Sequence, residues 1–156
     1  MITYTLEPWA TYYRDCKDLW PEHYDEIAVQ KDRMPMRPDV ATYQKLEALG
    51  QLQIVVARDE GRMVGYVLSV IRPHLHYADV LCGFEDAYFL SKTHRKGMIG
   101  VKLIREAVRH MQGAGAQKAF FMTKVALNMG PIFERMGFVK TDIVYSKWIG
   151  AMEEDT

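Results

Sequence analysis

"FLSKTHRKGMIGVKLIREAVRHM", residues 89–111, joins an apolar run to a strongly periodic segment through a short basic turn that contains glycine. From Ile99 onward, apolar residues recur every three or four positions with charged residues opposite them, which predicts an amphipathic helix. A strand that enters a helix through such a turn directs unpaired backbone N–H groups and the positive helix end at one point. The stretch therefore predicts an anion site, most often for phosphate, although an ordinary solvent-exposed turn is the local alternative. The residues that would form the site are Arg95, Lys96, Gly97 and Gly100.

The rest of the chain supplies a sheet and more helices around this corner. Apolar residues at helical spacing from Tyr12 to Trp20, and again from Val40 to Leu49, predict a helical N-terminal third. Two β-branched runs follow, and Gly61 between them predicts a tight antiparallel hairpin. Residues 131–136 predict a short helix, and further strands are expected at 84–90, 116–125 and 141–149. This order predicts one α/β (α+β) domain, residues 1–156, with a mixed, mostly antiparallel sheet flanked by helices.

Composition narrows the class of partner. Lysine plus arginine and aspartate plus glutamate each total 20, so the formal net charge is zero. This balance disfavours tight sequence-independent binding of nucleic acid and leaves only a local site open. The longest nearly apolar run, residues 63–71, is about half of what a membrane-spanning helix needs. The N-terminus lacks a signal-peptide core and the chain has only two cysteines, so a cytoplasmic protein with free thiols is expected.

Two segments carry a resemblance to a known family. Arg95-Lys96-Gly97-Met98-Ile99-Gly100 is similar to the Arg-or-Gln-x-x-Gly-x-Gly-or-Ala loop of the GNAT superfamily of acyl-CoA-dependent N-acyltransferases, with Met98 in place of the middle glycine. The segment "PIFERMGFVKTDIVYSKWI", residues 131–149, resembles that family's closing helix and strand. Residues 64–79 and 120–138 look most like a phage-encoded group of these proteins, which would place the protein in a host cytoplasm.

The resemblance implies a GNAT-like fold that binds acetyl-CoA and transfers its acetyl group to an amine. In the family, backbone amides of the loop and the helix start hold the coenzyme A pyrophosphate, and a backbone N–H at the splayed end of the fourth strand polarises the thioester carbonyl. The positions that the resemblance assigns to the cofactor are Phe89, Leu90, Arg95, Lys96, Gly97, Met98, Ile99, Gly100, Asn128 and Phe133.

The candidate base for the amine is an acidic residue of the strand at 84–90. Glu85 and Asp86 are adjacent, so strand alternation places them on opposite faces. Related enzymes with a base on this strand carry it an even number of residues before the position of Leu90, and this parity favours Asp86. A structural role for Asp86, in a turn or an ion pair, is the alternative.

The proton for the leaving thiolate is where the resemblance weakens. Family members often use a tyrosine at the position of Phe133, and phenylalanine has no proton to give. The thiolate would then leave unassisted or through water, or another residue would donate; the candidates are Tyr77, Tyr88, His74 and His76. His74 and His76 would contact substrate or serve as base, with a structural hydrogen-bond role as the alternative. A metal site needs more ligands than this pair provides, so no metal is expected.

Two functions from different classes are therefore open. The first is an N-acetyltransferase that uses acetyl-CoA and an amine-bearing acceptor of unknown identity. The second is a non-catalytic acyl-CoA-binding or protein-interaction module on the same fold, suggested by Met98 and Phe133. Neither requires a membrane, and a homodimer is as compatible with the sequence as a monomer.

Overall fold

The computed structural model describes residues 1–150 and contains one five-stranded sheet flanked by helices. The strands are β1 (Ile2–Leu6), β2 (Leu52–Asp59), β3 (Arg62–His74), β4 (Tyr77–Leu90) and β5 (Lys118–Phe120). The helices are α1 (Trp9–Asp15), α2 (Trp20–Ile27), α3 (Val40–Ala48), α4 (Ile99–Gly113) and α5 (Gly130–Arg135). The predicted class is confirmed, because the sheet is mixed and mostly antiparallel.

The sheet order follows the chain order, β1-β2-β3-β4-β5. The first four strands pair antiparallel, and only β4 and β5 pair in parallel. The predicted hairpin between β2 and β3 is confirmed. Its two-residue turn places Glu60 and Gly61 at positive φ, 47° and 82°, which is typical of a type I′ turn.

Each face of the sheet buries its own apolar cluster. On one face α1, α2 and α3 cover β2–β4, and the buried residues include Trp9, Tyr12, Tyr66 and Phe89. On the other face α4 packs through Leu103 and Ala107 against Val55, Val64 and Val67. Successive side chains of β2 and β3 point to opposite faces and contribute to both clusters. Because both faces are buried, the sequences of these strands are nearly continuous apolar runs.

The helices begin and end much as the sequence indicates. Asp39 accepts a hydrogen bond from the backbone N–H of Thr42 at 3.0 Å and so caps α3. The amphipathic helix predicted from Ile99 is α4, whose buried stripe includes Leu103, Ile104, Ala107 and Met111. Within residues 1–150, no helix is both long and apolar enough to cross a membrane.

Three strand predictions were wrong in detail. The N-terminal β1 pairs with β2 but was not expected. The strand expected at 116–125 is limited to Lys118–Phe120, and the one expected at 141–149 does not form. A strand needs a partner that satisfies its backbone groups. Alternation in sequence indicates which residues could face a core but not whether such a partner is available.

Candidate active site

The parallel pairing of β4 and β5 covers only three residues of each strand and leaves a gap between the two segments beyond it. Pairing covers Cys82–Phe84 with Lys118–Phe120, and the rings of Phe84 and Phe120 close it, stacked at 4.9 Å. Beyond this pair β4 continues to Leu90, whereas β5 stops. The backbone groups along this edge of β4 therefore face an opening in the sheet rather than a neighbouring strand.

Glu85 lies at the point where the gap begins. Its side chain is buried, with 8% of its surface exposed, and one carboxylate oxygen accepts a hydrogen bond from the backbone N–H of Met122 at 3.1 Å. The pKa of Glu85 is raised to about 7: burial is the largest cause, the Met122 hydrogen bond opposes the shift, and the nearby charge of Asp86 adds to it. A carboxyl group with a pKa near 7 in a cleft is suited to accept and release protons at neutral pH.

Asp86 lies in a different environment. The register of β3 with β4 passes from Leu68–Ala87 to Ser69–Glu85, so Asp86 is the extra residue of a β-bulge. Its side chain is exposed and accepts a hydrogen bond from the hydroxyl of Tyr43 on α3. The opposite placement of the two acidic residues is thus confirmed, with Glu85 buried and Asp86 on the side of α1–α3.

The bulge changes the parity argument that favoured Asp86 as base. Tyr88 packs on the α4 face, and Leu90 lies against Gly100 on the same face. Counting back from Leu90, the extra residue at Asp86 reverses the alternation, so Glu85 shares that face. The even-number rule assumed a regular strand and does not apply here.

The backbone N–H groups of Phe89 and Leu90 point in opposite directions. The N–H of Ser91 donates to the carbonyl of Val64 on β3 at 2.8 Å. Because neighbouring residues of a strand alternate, the N–H of Phe89 also faces β3, whereas that of Leu90 faces the gap. Of the two expected positions, Leu90 is therefore the one that directs an N–H toward the opening.

Arg95 does not direct its charge at the loop as the sequence suggested. Its guanidinium donates to Glu26 of α2 at 2.6 Å and to the Leu90 carbonyl at 2.7 Å. The Arg95 guanidinium lowers the pKa of Glu26, which also lies 3.4 Å from Lys92. Arg95 therefore fastens α2 to the end of β4. The loop retains the exposed Lys96 as its cation.

The start of α4 offers backbone donors as predicted. Gly97 has φ of 56°, in the left-handed region, and Met98 caps the helix without a side-chain hydrogen bond. The first intrahelical bond of this turn runs from Lys102 to the Met98 carbonyl, so the N–H groups of Ile99, Gly100 and Val101 have no acceptor within the helix. These groups and the helix dipole can hold an anion.

Gly100 is needed for a reason that the sequence did not reveal. A Cβ at this position would lie 2.8 Å from the hydroxyl of Tyr88, so a side chain here would displace the tyrosine. Burial raises the pKa of Tyr88 to about 12, which keeps its proton in place. The carbonyl of Ile99 accepts from Tyr4 at 3.3 Å. The helix start is thus fixed against β1 and β4.

Asn128 and Phe133 have structural contacts in the free protein. The Asn128 side chain accepts from the backbone N–H of Gly130 at 2.9 Å and so precedes α5 as a turn residue. Phe133 is 6% exposed, and its ring packs 5.7 Å from Phe121 and 5.5 Å from Phe138. The buried ring belongs to an aromatic cluster beneath α5.

His74 and His76 lie at the tip of the β3–β4 hairpin. The backbone N–H of His76 donates to the His74 ring at 3.1 Å, and the two rings are 5.5 Å apart. The rings of Tyr77, Phe84 and Phe120 also lie near His74, and neither histidine lines the cavity described below. Among residues 1–150, no group of three or more His, Cys, Asp or Glu side chains could hold a metal ion.

An aromatic cavity of about 250 Å³ opens beside Asp86 on the side of α1–α3. Its lining includes the buried His23, which is 7% exposed, hydrogen-bonded to the Tyr66 hydroxyl at 2.8 Å and stacked on Phe89 at 4.8 Å. Burial lowers the pKa of His23 to about 4, so the ring is neutral at pH 7. Sequence reasoning missed this cavity. The only available signal was the clustering of aromatic residues in the N-terminal helices.

Comparison with known proteins agrees with this architecture. Residues 8–138 match the acetyltransferase (GNAT) family model, while no curated protein matches the chain. An aminoglycoside acetyltransferase from an uncultured soil metagenomic sample is similar, with a TM-score of 0.74 at 13% identity over 97% of this chain and 99% of that one. Glucosamine-6-phosphate N-acetyltransferase from Arabidopsis thaliana gives a TM-score of 0.72 at 15% identity over 96% and 99%. A predicted acetyltransferase with acetyl-CoA from Clostridium acetobutylicum gives 0.67 at 13% over 96% and 97%.

At these identities, likeness to solved structures establishes the fold alone. The family model adds to it, because its matched range includes the β4–β5 gap, the loop before α4 and helix α5. The protein belongs to the acetyltransferase (GNAT) family.

Proposed function

We propose that the protein is an N-acetyltransferase that moves an acetyl group from acetyl-CoA to a primary amine. The observation that carries the proposal is the position of Glu85. This buried carboxyl group, with a pKa of about 7, lies on the α4 face where the β4–β5 gap begins, and its neighbour Asp86 lines the aromatic cavity on the opposite face. A group that exchanges protons at neutral pH thus lies beside the gap between two candidate binding regions.

The residues around the gap fit acetyl-CoA. The uncapped start of α4 offers backbone N–H groups to a pyrophosphate, and Gly97 allows the loop to turn toward it. Lys96 adds an exposed positive charge. When bound, acetyl-CoA supplies an acetyl group activated as a thioester. Leu90 would direct its N–H at the carbonyl oxygen of that group.

Glu85 and Asp86 have different proposed roles toward the amine. An amine reaches the reaction as an ammonium ion and must lose a proton before it can attack. We assign proton acceptance to Glu85, directly or through water, because its carboxylate form is populated near neutral pH. Asp86 is exposed on the cavity side and would hold the ammonium group by charge. The proton needed by the departing thiolate would come from water, since Phe133 cannot donate one.

The second candidate is an acyl-CoA-binding module without turnover. It is favoured by Phe133, whose ring is buried in the aromatic cluster, and by Met98 in place of a family glycine. Loss of a general acid removes a contribution of about 10²–10⁴-fold, whereas positioning can contribute more, so activity is compatible with this loss.

Two measurements separate the candidates. Acetyl-CoA at about 100 times its dissociation constant should raise the free energy of unfolding by about 2.7 kcal/mol, a shift of several degrees in Tm. Release of free thiol in the presence of a panel of amines, with product detected by mass spectrometry, tests transfer. Stabilisation without thiol release for any amine would favour the binding module, and absence of both would contradict the assignment of the cofactor.

We also expect a single domain over residues 1–156, a phage-encoded origin and a cytoplasmic location, with a homodimer as the alternative to a monomer. Size-exclusion chromatography with light scattering tests the oligomeric state.

A further inference from the structure

The cavity beside Asp86 is lined by aromatic and aliphatic side chains. Besides the imidazole of His23, six tryptophan and tyrosine rings line it: Trp9, Tyr12, Trp20, Tyr24, Tyr43 and Tyr66. Trp9 and Tyr43 stack at 4.5 Å with an angle of 11° between their planes, and Tyr12 meets Tyr66 edge to face at 5.1 Å. These contacts fix the walls before any ligand arrives. Preformed aromatic walls favour a flat apolar group or a cation placed over a ring.

The charged groups around the cavity favour a ligand with a single positive charge. Within residues 1–150, no lysine or arginine lines it, and Asp86 is its one carboxylate. Asp86 accepts a hydrogen bond from the neutral Tyr43 hydroxyl but has no ion-pair partner among the described residues. His23 contributes no charge at pH 7, because burial lowers its pKa. A ligand with one ammonium group would therefore complete the site.

The volume limits the size of that ligand. A cavity of about 250 Å³ exceeds the roughly 150 Å³ that can enclose a benzene ring. It lies below the roughly 300–1,000 Å³ typical of sites for drug-sized ligands. One or two fused rings with a short side chain would match this range. A sugar amine with several ammonium groups would leave most of its charges and hydroxyl groups unpaired against the aromatic walls.

Asp86 lines the cavity and follows Glu85 on β4, just beyond the last residues paired with β5, so the cavity and the gap lie at the same level of β4 on opposite faces of the sheet. An ammonium group held at Asp86 would lie at the end of the cavity nearest the gap, with the rest of the ligand between the rings. We infer that the acceptor is an arylalkylamine: a single primary ammonium group joined by a short chain to an aromatic ring. The role of this amine as acceptor rests on the proposed acetyltransferase function, whereas the binding test depends on the cavity alone.

The test measures binding without acetyl-CoA. Isothermal titration calorimetry measures the binding, because tryptamine shares the indole fluorescence of Trp9 and Trp20, which line the cavity. The probes are 2-phenylethylamine and tryptamine, with 2-phenylethanol (ring without charge), spermidine (charge without ring) and kanamycin as comparisons. We expect saturable binding of the two arylalkylamines and at least about tenfold weaker binding of the other three, since a charge-assisted contact or ring stacking is lost in each. Equal or tighter binding of spermidine or kanamycin would overturn the inference.

Two variants locate the binding. Asp86→Asn should weaken 2-phenylethylamine about tenfold and leave 2-phenylethanol unchanged, while Trp20→Leu should weaken both. The matched controls are Asp79→Asn, on the same strand, and Tyr77→Leu, at the hairpin tip, neither of which lines the cavity. Arylalkylamine binding that is insensitive to Asp86→Asn and Trp20→Leu would overturn the inference.

Activity then separates this inference from the proposed function. If arylalkylamines bind in the cavity but thiol release fails with every amine, the inferred ligand class stands and the acetyltransferase proposal fails. If thiol release occurs with spermidine or kanamycin and not with arylalkylamines, the acetyltransferase proposal stands and the inferred acceptor is wrong.

Discussion

Glu85 of β4 accepts a hydrogen bond from the backbone N–H of Met122, 3.1 Å away, just beyond the last paired residues of β4 and β5. This contact places a carboxyl group between two chain segments that no longer pair as strands. Because the group is buried, its pKa is about 7, and its charge state changes within the physiological pH range.

The rate of acetyl transfer should therefore rise with pH through about 7, because only the carboxylate form of Glu85 accepts a proton. Glu85→Gln should lower kcat by about 10²-fold or more and remove this rise, while the affinity for acetyl-CoA is retained. Steady-state kinetics from pH 5.5 to 9 measures both effects. A variant with wild-type rates and the same pH profile would rule out Glu85 as base.

The same group should make stability depend on pH. The pKa of Glu85 is about 7 in the folded protein against an ordinary value of 4.5, so between these values the folded state binds more protons than the unfolded state. The free energy of unfolding should therefore fall as pH rises from about 4.5 to 7, by up to about 3 kcal/mol from this group.

Glu85→Gln, which stays uncharged, should lose this component, and the exposed Glu134→Gln serves as control. Urea unfolding of the free protein at pH 5 and pH 8 gives the comparison. If wild type and Glu85→Gln respond equally to pH, the carboxyl group is not the source of the dependence.

Asp86→Asn should act on the amine rather than on the chemical step. Asp86 is exposed at the cavity, and losing its charge should raise KM for the amine about tenfold with a much smaller change in kcat. The exposed Asp79→Asn on the same strand is the control. A fall of about 10²-fold in kcat with a flattened pH profile would instead identify Asp86 as the base.

Gly100→Ala should weaken acetyl-CoA binding indirectly. The added Cβ would lie 2.8 Å from the Tyr88 hydroxyl, so either the start of α4 or the tyrosine must move. Removing that hydroxyl in Gly100→Ala/Tyr88→Phe should restore much of the affinity, which thermal shift with acetyl-CoA measures. Gly113→Ala is the control, because a Cβ there meets no atom within 4 Å. Equal affinity of the single and double variants would show that the clash does not control the loop.

Phe133→Tyr should destabilise the protein without accelerating transfer. The ring is 6% exposed between Phe121 and Phe138, so a hydroxyl would be buried and should cost about 1–3 kcal/mol. Phe138→Tyr, at a half-buried ring, should cost less. Chemical denaturation and thiol release measure the two effects. Faster transfer with unchanged stability would show that the new hydroxyl reaches the leaving group.

Several parts of the fold were predictable because local patterns decide them. The 3.6-residue period of α4 and the Glu60-Gly61 turn each depend on residues close together in the chain. The turn at Gly97 and the backbone N–H groups at the start of α4 belong to this group, because they are adjacent in the chain. The strand expected at 141–149 failed because pairing depends on an edge elsewhere in the molecule.

The sequence by itself determined the family, the helices and the acidic pair on β4, because motif spacing and periodicity are carried by neighbouring residues. Only the tertiary structure decided which of Glu85 and Asp86 is buried. Counted from Leu90, the single bulge residue exchanges the faces of the sheet on which these two side chains lie. Likewise, the pKa of Glu85 depends on burial and on Met122, and the pairing of Arg95 with Glu26 brings together residues far apart in the chain. Burial and electrostatic contact are properties of packed neighbours, which a linear sequence does not state.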